Sequence, residues 1–140
     1  MKRLLFGVAI ATVISAISVS AAKPPTDPST IILNPPAGLT AAAAWQPHLG
    51  DYVSFTVTYP KTLDHFGVRI QILCYDANGN VIYGEAGPYY QEFLLGGSMS
   101  IWYQTDGPAH CSADLYYWSY QGGQKWNGLA NTQFDALGRP

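Results

Sequence analysis

Charge is scarce in this 140-residue chain: only 11% of its residues are Asp, Glu, Lys or Arg, and glutamate occurs twice, at Glu85 and Glu92. With so few charges and 48% hydrophobic residues, the composition is that of a chain that packs a core, not of a disordered one. Cysteine also occurs only twice, at Cys74 and Cys111, and no CxxC spacing is present, which excludes a thiol-rich metal knuckle and a dithiol redox motif. There is no GxSxG elbow and no glycine-rich loop ending in GKS or GKT, so neither a serine-hydrolase turn nor a phosphate-binding loop is legible. Gly96-Gly97-Ser98 is a turn by the same measure. Internal repeats, heptads and low-complexity tracts are missing as well.

Long hydrophobic runs are confined to the start. Lys2 and Arg3 precede the uncharged stretch from Leu4 to Ala22, which ends in small residues, the pattern of a secretory signal. Cleavage after Ala21 or Ala22 leaves about 118 residues. The competing reading is an uncleaved anchor, since the stretch has the roughly 17 to 25 residues of a span. Thr12, Ser15, Ser18 and Ser20 dilute it, however, and no cysteine follows to carry a lipid. Nothing after Ala22 has the length to span a membrane, so the expected location is secreted or extracytoplasmic.

The remaining chain supports one domain with one core. Five positive residues stand against nine negative ones, a formal charge of −4. The cations are scattered, so the footprint that nucleic acid requires is missing. In an exported chain, pairing of Cys74 with Cys111 is the expectation. No cofactor is implied, and nothing in the chain specifies an oligomeric state.

What is present is alternation. Lys23 to Pro36 carries five prolines and reads as an arm or linker, with Thr30 to Leu33 a candidate first strand. Leu39 to Trp45 alternates loosely and suits a strand. Val53, Phe55, Val57 and Tyr59 share one face of an extended segment, and Val68, Ile70, Ile72 and Cys74 share another. DANGN at 76–80 is a hairpin turn, with Asn78-Gly79 at its tight positions. Val81 to Glu85 returns as a short strand, and the Gly87-Pro88 step interrupts the chain before strand-like stretches at 89–95 and 98–103. Beyond the TDGPA turn at 105–109, Cys111, Ala113, Leu115 and Tyr117 point inward while Ser112, Asp114, Tyr116 and Trp118 point outward. A last strand falls within Lys125 to Ala136, and Leu137 to Pro140 reads as a frayed end.

About seven short strands with Gly, Pro and Asn turns predict an all-β fold, an immunoglobulin-like β-sandwich with a Pro-rich N-terminal arm. The units read as a signal peptide at 1–22, the arm at 23–37 and the sandwich at 38–137. If Leu39 to Trp45 is the first strand, the bridge joins a third strand to a late one within a single sheet. Antibody domains link their two sheets instead, and Trp102 lies outside the place of their core tryptophan. The resemblance is therefore to an architecture alone, with a closed β-barrel or jelly roll as the alternative.

No combination of side chains declares a reaction. His48, His65 and His110 are dispersed among loops and strand ends, and a zinc site would need them to converge. The turn aspartates Asp76, Asp106 and Asp114 offer oxygen ligands of the kind calcium uses, but DANGN lacks the rest of a calcium-binding loop. Glu85 and Glu92 form no legible acid pair. The surplus is aromatic: Tyr89, Tyr90, Trp102, Tyr103, Tyr116, Tyr117, Trp118, Tyr120 and Trp126 crowd the second half. Of these, Tyr116, Trp118 and Trp126 are the candidate binding residues, because large rigid rings on an outer face anchor protein or glycan ligands. The competing account is that residues 23–36 cover them. The expected function is a non-catalytic binding module. An inert envelope or assembly domain is the alternative, followed by a small secreted hydrolase.

Overall fold

The computed structural model describes residues 28–39, 45–97 and 107–140. The signal read at 1–22, most of the strand read at 39–45 and the strand read at 98–103 lie outside these residues. The described chain is all-β apart from one short 3-10 helix. Its strands are β1 (Thr30–Leu33), β2 (Tyr52–Val53), β3 (Phe55–Thr58), β4 (Arg69–Tyr75), β5 (Val81–Pro88), β6 (Phe93–Leu94), β7 (Ala109–Ser119) and β8 (Lys125–Ala136), with the helix at Lys61–Phe66.

Strands β5, β4, β7 and β8 form, in that order, one antiparallel sheet. Two small antiparallel ladders, β1 with β3 and β2 with β6, complete the set, an arrangement consistent with a β-sandwich. The segment 52–58 changes partner at Ser54, pairing first with β6 and then with β1. Pro28, Pro35 and Pro36 flank β1 without entering it, and Ile31 on that strand reaches the core.

The alternation read from sequence is borne out. Ile70, Ile72, Cys74, Cys111, Ala113 and Leu115 are fully buried on one face of the large sheet. They pack in one cluster with Ile31, Leu49, Val53, Phe55 and Phe93. Phe55 links the layers, its ring 6.3 Å from Phe93 and 6.1 Å from Phe134 on β8. Each such large apolar side chain contributes about 1.5–3 kcal/mol by leaving water. Cys74 and Cys111 are disulfide-bonded at directly paired positions of β4 and β7, with Cα atoms 4.1 Å apart. The bridge thus lies within one sheet.

Three local expectations need correction. The Gly87-Pro88 step does not break β5, which runs through to Pro88. β5 is a sheet edge, where a missing N–H costs no ladder bond. The stretch 89–95 yields only the two-residue β6, after a turn in which Gln91 N–H donates to the Pro88 carbonyl. The C-terminus is tied down, not frayed: Leu137 bridges His48, exchanges backbone bonds with Pro47 and Leu49, and Arg139 donates to the Gly96 carbonyl at 2.6 Å. The 76–80 turn forms as expected, with Asp76 Oδ1 accepting from the N–H groups of Asn78 and Asn80. Those bonds hold its carboxyl below the usual range, and only Gly79, at φ +80°, takes the left-handed conformation.

Candidate functional site

Because side chains alternate along β4, β5, β7 and β8, the register assigns the outer face of the large sheet row by row. At one end of the large sheet a row runs Pro88, Arg69, Tyr116, Gly128. The next row is Ala86, Gln71, Asp114, Asn131, followed by Gly84, Leu73, Ser112, Gln133. Beyond Tyr116, Trp118 pairs with Trp126 across β7 and β8. The three rings chosen from sequence therefore do meet on one face.

They are not equally available. Tyr116 is only 5% exposed, whereas Trp126 is 42% exposed and Trp118 lies between. The Trp126 ring stacks on Tyr116 at 5.5 Å with a 24° interplanar angle, and Trp118 meets the same ring edge-on at 6.1 Å. Tyr116 is thus a floor for the tryptophans. Gly128 makes this possible, since a Cβ there would lie 2.9 Å from the Trp126 ring. The described part of the Pro-rich arm pairs with β3; the ring over Tyr116 belongs to Trp126. Trp102 and Tyr103 fall outside the described residues.

Beside the aromatic corner the face is polar. Asn131 Nδ2 lies 2.8 Å from Asp114 Oδ1 and 2.9 Å from Ser112 Oγ. Farther along, His110 Nδ1 meets Asp135 Oδ1 at 2.8 Å, with both side chains exposed on the β7–β8 pair. His48 sits 3.6 Å from Asp51, and His65 stacks on Phe66, so the three histidines occupy three separate places. Among the described residues no group of His, Cys, Asp or Glu is placed to hold a metal ion. Of the turn aspartates, Asp106 lies outside these residues.

A second constellation was not legible in the sequence. A cavity of about 340 Å³ opens where β3 ends, β4 begins and β5 ends, lined by Tyr59, Asp64, Arg69, Pro88, Tyr89 and Tyr90 among others. The 3-10 helix supplies Asp64, bounded by Pro60 and by Gly67 in the left-handed conformation at φ +67°. Tyr59 and Tyr89 meet edge-on at 5.5 Å, and so do Tyr89 and Tyr90. The Tyr59 hydroxyl lies near Tyr89 and Asp64; burial first, then these neighbours, pushes its pKa upward. The nearest signal in the sequence was the Pro60 and Gly67 bracket, which by itself names no partner.

The two glutamates do come together, lining a cavity of about 240 Å³ with Tyr83, Gln91 and Tyr52. The Tyr83 hydroxyl donates to Glu85 Oε2, and Gln91 Nε2 reaches Glu85 Oε1 at 3.4 Å. Gly87 admits this arrangement, because a Cβ there would strike the Gln91 amide. Glu92 is exposed. Among the described residues no helix is long and apolar enough to cross a membrane. Compared with protein-family models, with curated proteins and with solved structures, the chain matches none of them.

Proposed function

We propose that this is a secreted or surface-associated, non-catalytic binding module that recognises a glycan through the face carrying Trp118 and Trp126. One observation carries the reading: an exposed indole, held flat on Tyr116, adjoins a row of amide and carboxylate groups at strand spacing. A sugar ring offers an apolar C–H face for the indole and hydroxyls for Gln71, Asp114, Asn131 and Gln133. In this reading Tyr116 positions the tryptophans and does not itself touch ligand.

We also infer an immunoglobulin-like sandwich. Supporting this, the order β5-β4-β7-β8 corresponds to a C′-C-F-G sheet, and β1, the 52–58 segment and β6 to strands A, B and E. The turn between β7 and β8 then lies at the same end as the tryptophan pair, and such ends carry recognition in many sandwiches. Export rests on the sequence of residues 1–22 alone. A purely structural role would account for Trp126 as the cover of an edge-strand glycine, but leaves its 42% exposure without a purpose.

A glycan array and titration with the disulfide-bonded chain tests the proposal. A retained glycan should be released by Trp126→Ala with a loss of about 2 kcal/mol, roughly thirtyfold in Kd. No glycan retained, or equal binding by the variant, refutes it.

A further inference from the structure

Arg69 and Asp64 line the same cavity yet do not pair: their charged atoms lie more than 4.0 Å apart, and among the described residues the Arg69 guanidinium has no hydrogen bond or ion pair. Asp64 stands beside the Tyr59 hydroxyl in the cavity wall, and its carboxylate has lone pairs to offer a ligand. A cation and an anion held apart across one space match a ligand whose own charges are separated in the opposite sense. The walls between them say more about that ligand. Tyr59, Tyr89 and Tyr90 stand edge to face in succession, at 5.5 Å and 72° and then 5.5 Å and 82°. Pro88 adds an apolar surface. Tyrosine faces attract cations through the ring quadrupole, and alkylated ammonium groups, which shed water easily, gain most from such walls. A guanidinium with free N–H groups takes a carboxylate or phosphate through paired donors. The volume of about 340 Å³ suits a small molecule.

We propose that this cavity is a binding site for a small zwitterion, with a quaternary ammonium among Tyr59, Tyr89 and Tyr90 near Asp64 and its anionic group on Arg69. The site adjoins the tryptophan face, Arg69 lying beside Tyr116 in the same row, but its lining is its own and it does not depend on glycan recognition. Its anionic group can be a carboxylate or a phosphate, which the probes distinguish.

The experiment is an NMR titration of the full disulfide-bonded chain with glycine betaine, phosphocholine, tetramethylammonium and acetate, observing the tyrosine ring signals. Saturable shifts confined to the cavity tyrosines are expected with glycine betaine or with phosphocholine, and whichever binds more tightly identifies the anionic group. Arg69→Gln should weaken the zwitterion at least tenfold while leaving tetramethylammonium within about twofold, since the aromatic walls remain. Tyr90→Ala removes a ring that is 78% exposed, so the core is untouched, and should weaken both. The proposal is overturned if neither zwitterion binds, if acetate alone binds as tightly as the zwitterion, or if Arg69→Gln, with an unchanged circular dichroism spectrum, binds as the parent does.

Discussion

Breaking the Cys74–Cys111 bridge should destabilise the domain without loosening its sheet register. The two residues are 37 positions apart, and freeing a loop of that size returns conformational entropy to the unfolded chain. On the loop-entropy treatment this is worth about 4 kcal/mol at 25 °C. For a domain of this size the loss lowers Tm by roughly 15 °C. The folded state itself has little reason to change, because β4 and β7 remain paired from Arg69 to Tyr75 and both positions stay inside the core. Burial adds a kinetic expectation: with both cysteines fully buried, a phosphine or thiol reaches the bridge only when the sheet opens. Reduction in native buffer should therefore be slow and should accelerate steeply with added urea. The assay pairs thermal unfolding by circular dichroism, for the oxidised chain and for Cys74→Ala with Cys111→Ala, with thiol release measured against urea. An unchanged midpoint, or reduction in native buffer as fast as in full denaturant, would refute the reasoning.

Gly128→Ala should push the Trp126 ring off Tyr116, costing about 1 kcal/mol of ring contact and altering the near-ultraviolet spectrum. In a Trp126→Ala background the same change should be harmless, so a double-mutant cycle yielding no coupling would contradict the stacking account. Alkaline stability should hinge on Tyr83, whose hydroxyl is held protonated above its ordinary 10.0 by burial and by its bond to Glu85. The unfolded chain releases that proton near pH 10 while the folded chain keeps it. The share of stability due to Tyr83 is thus intact below pH 10 and falls above it by about 1.4 kcal/mol per pH unit, with Tyr59, raised as well, adding its own. Urea titrations at rising pH should show this slope, and Tyr83→Phe should lower it by one proton. Deleting Leu137 to Pro140 removes the backbone bonds to Pro47 and Leu49 and the Arg139 contact to Gly96, and should cost about 2 kcal/mol by urea midpoint.

The parts of the fold legible in sequence are those governed by a period of two. Val53, Phe55, Ile70, Ile72, Cys74, Cys111, Ala113 and Leu115 alternate strictly, and a strand with one dry face leaves no other solution, so their burial followed. The Asp76 to Asn80 turn was legible because its own side chain supplies the bonds that close it. Pro88 misled because its effect depends on which side of the strand has a neighbour, a fact set by the other strands. The C-terminal residues misled for the same reason: Leu137 is ordered by Pro47 and Leu49, some ninety positions away.

Sites follow a harsher rule. Trp118 and Trp126 could be placed together because a single hairpin joins their strands, so adjacency in sequence nearly fixes adjacency in space. What the pattern could not carry was the order of covering: that Trp126 lies on Tyr116, and not the reverse, depends on the missing Cβ of Gly128. The tyrosine-lined cavity draws on three separate segments, around Tyr59, around Asp64 to Arg69 and around Tyr89. Each looks unremarkable alone: a strand end, a Pro-to-Gly bracket, a turn after proline. Their chemistry arises only from strand order, since β4 lies next to β5 and thereby sets Arg69 opposite Pro88. Because the buried Ile70, Ile72 and Cys74 hold β4 in register, one residue inserted between Gly67 and Arg69 would be taken up before the strand and would displace Asp64 relative to Arg69. Such an insertion should therefore abolish zwitterion binding while the tryptophan face, anchored on β7 and β8, keeps whatever it binds.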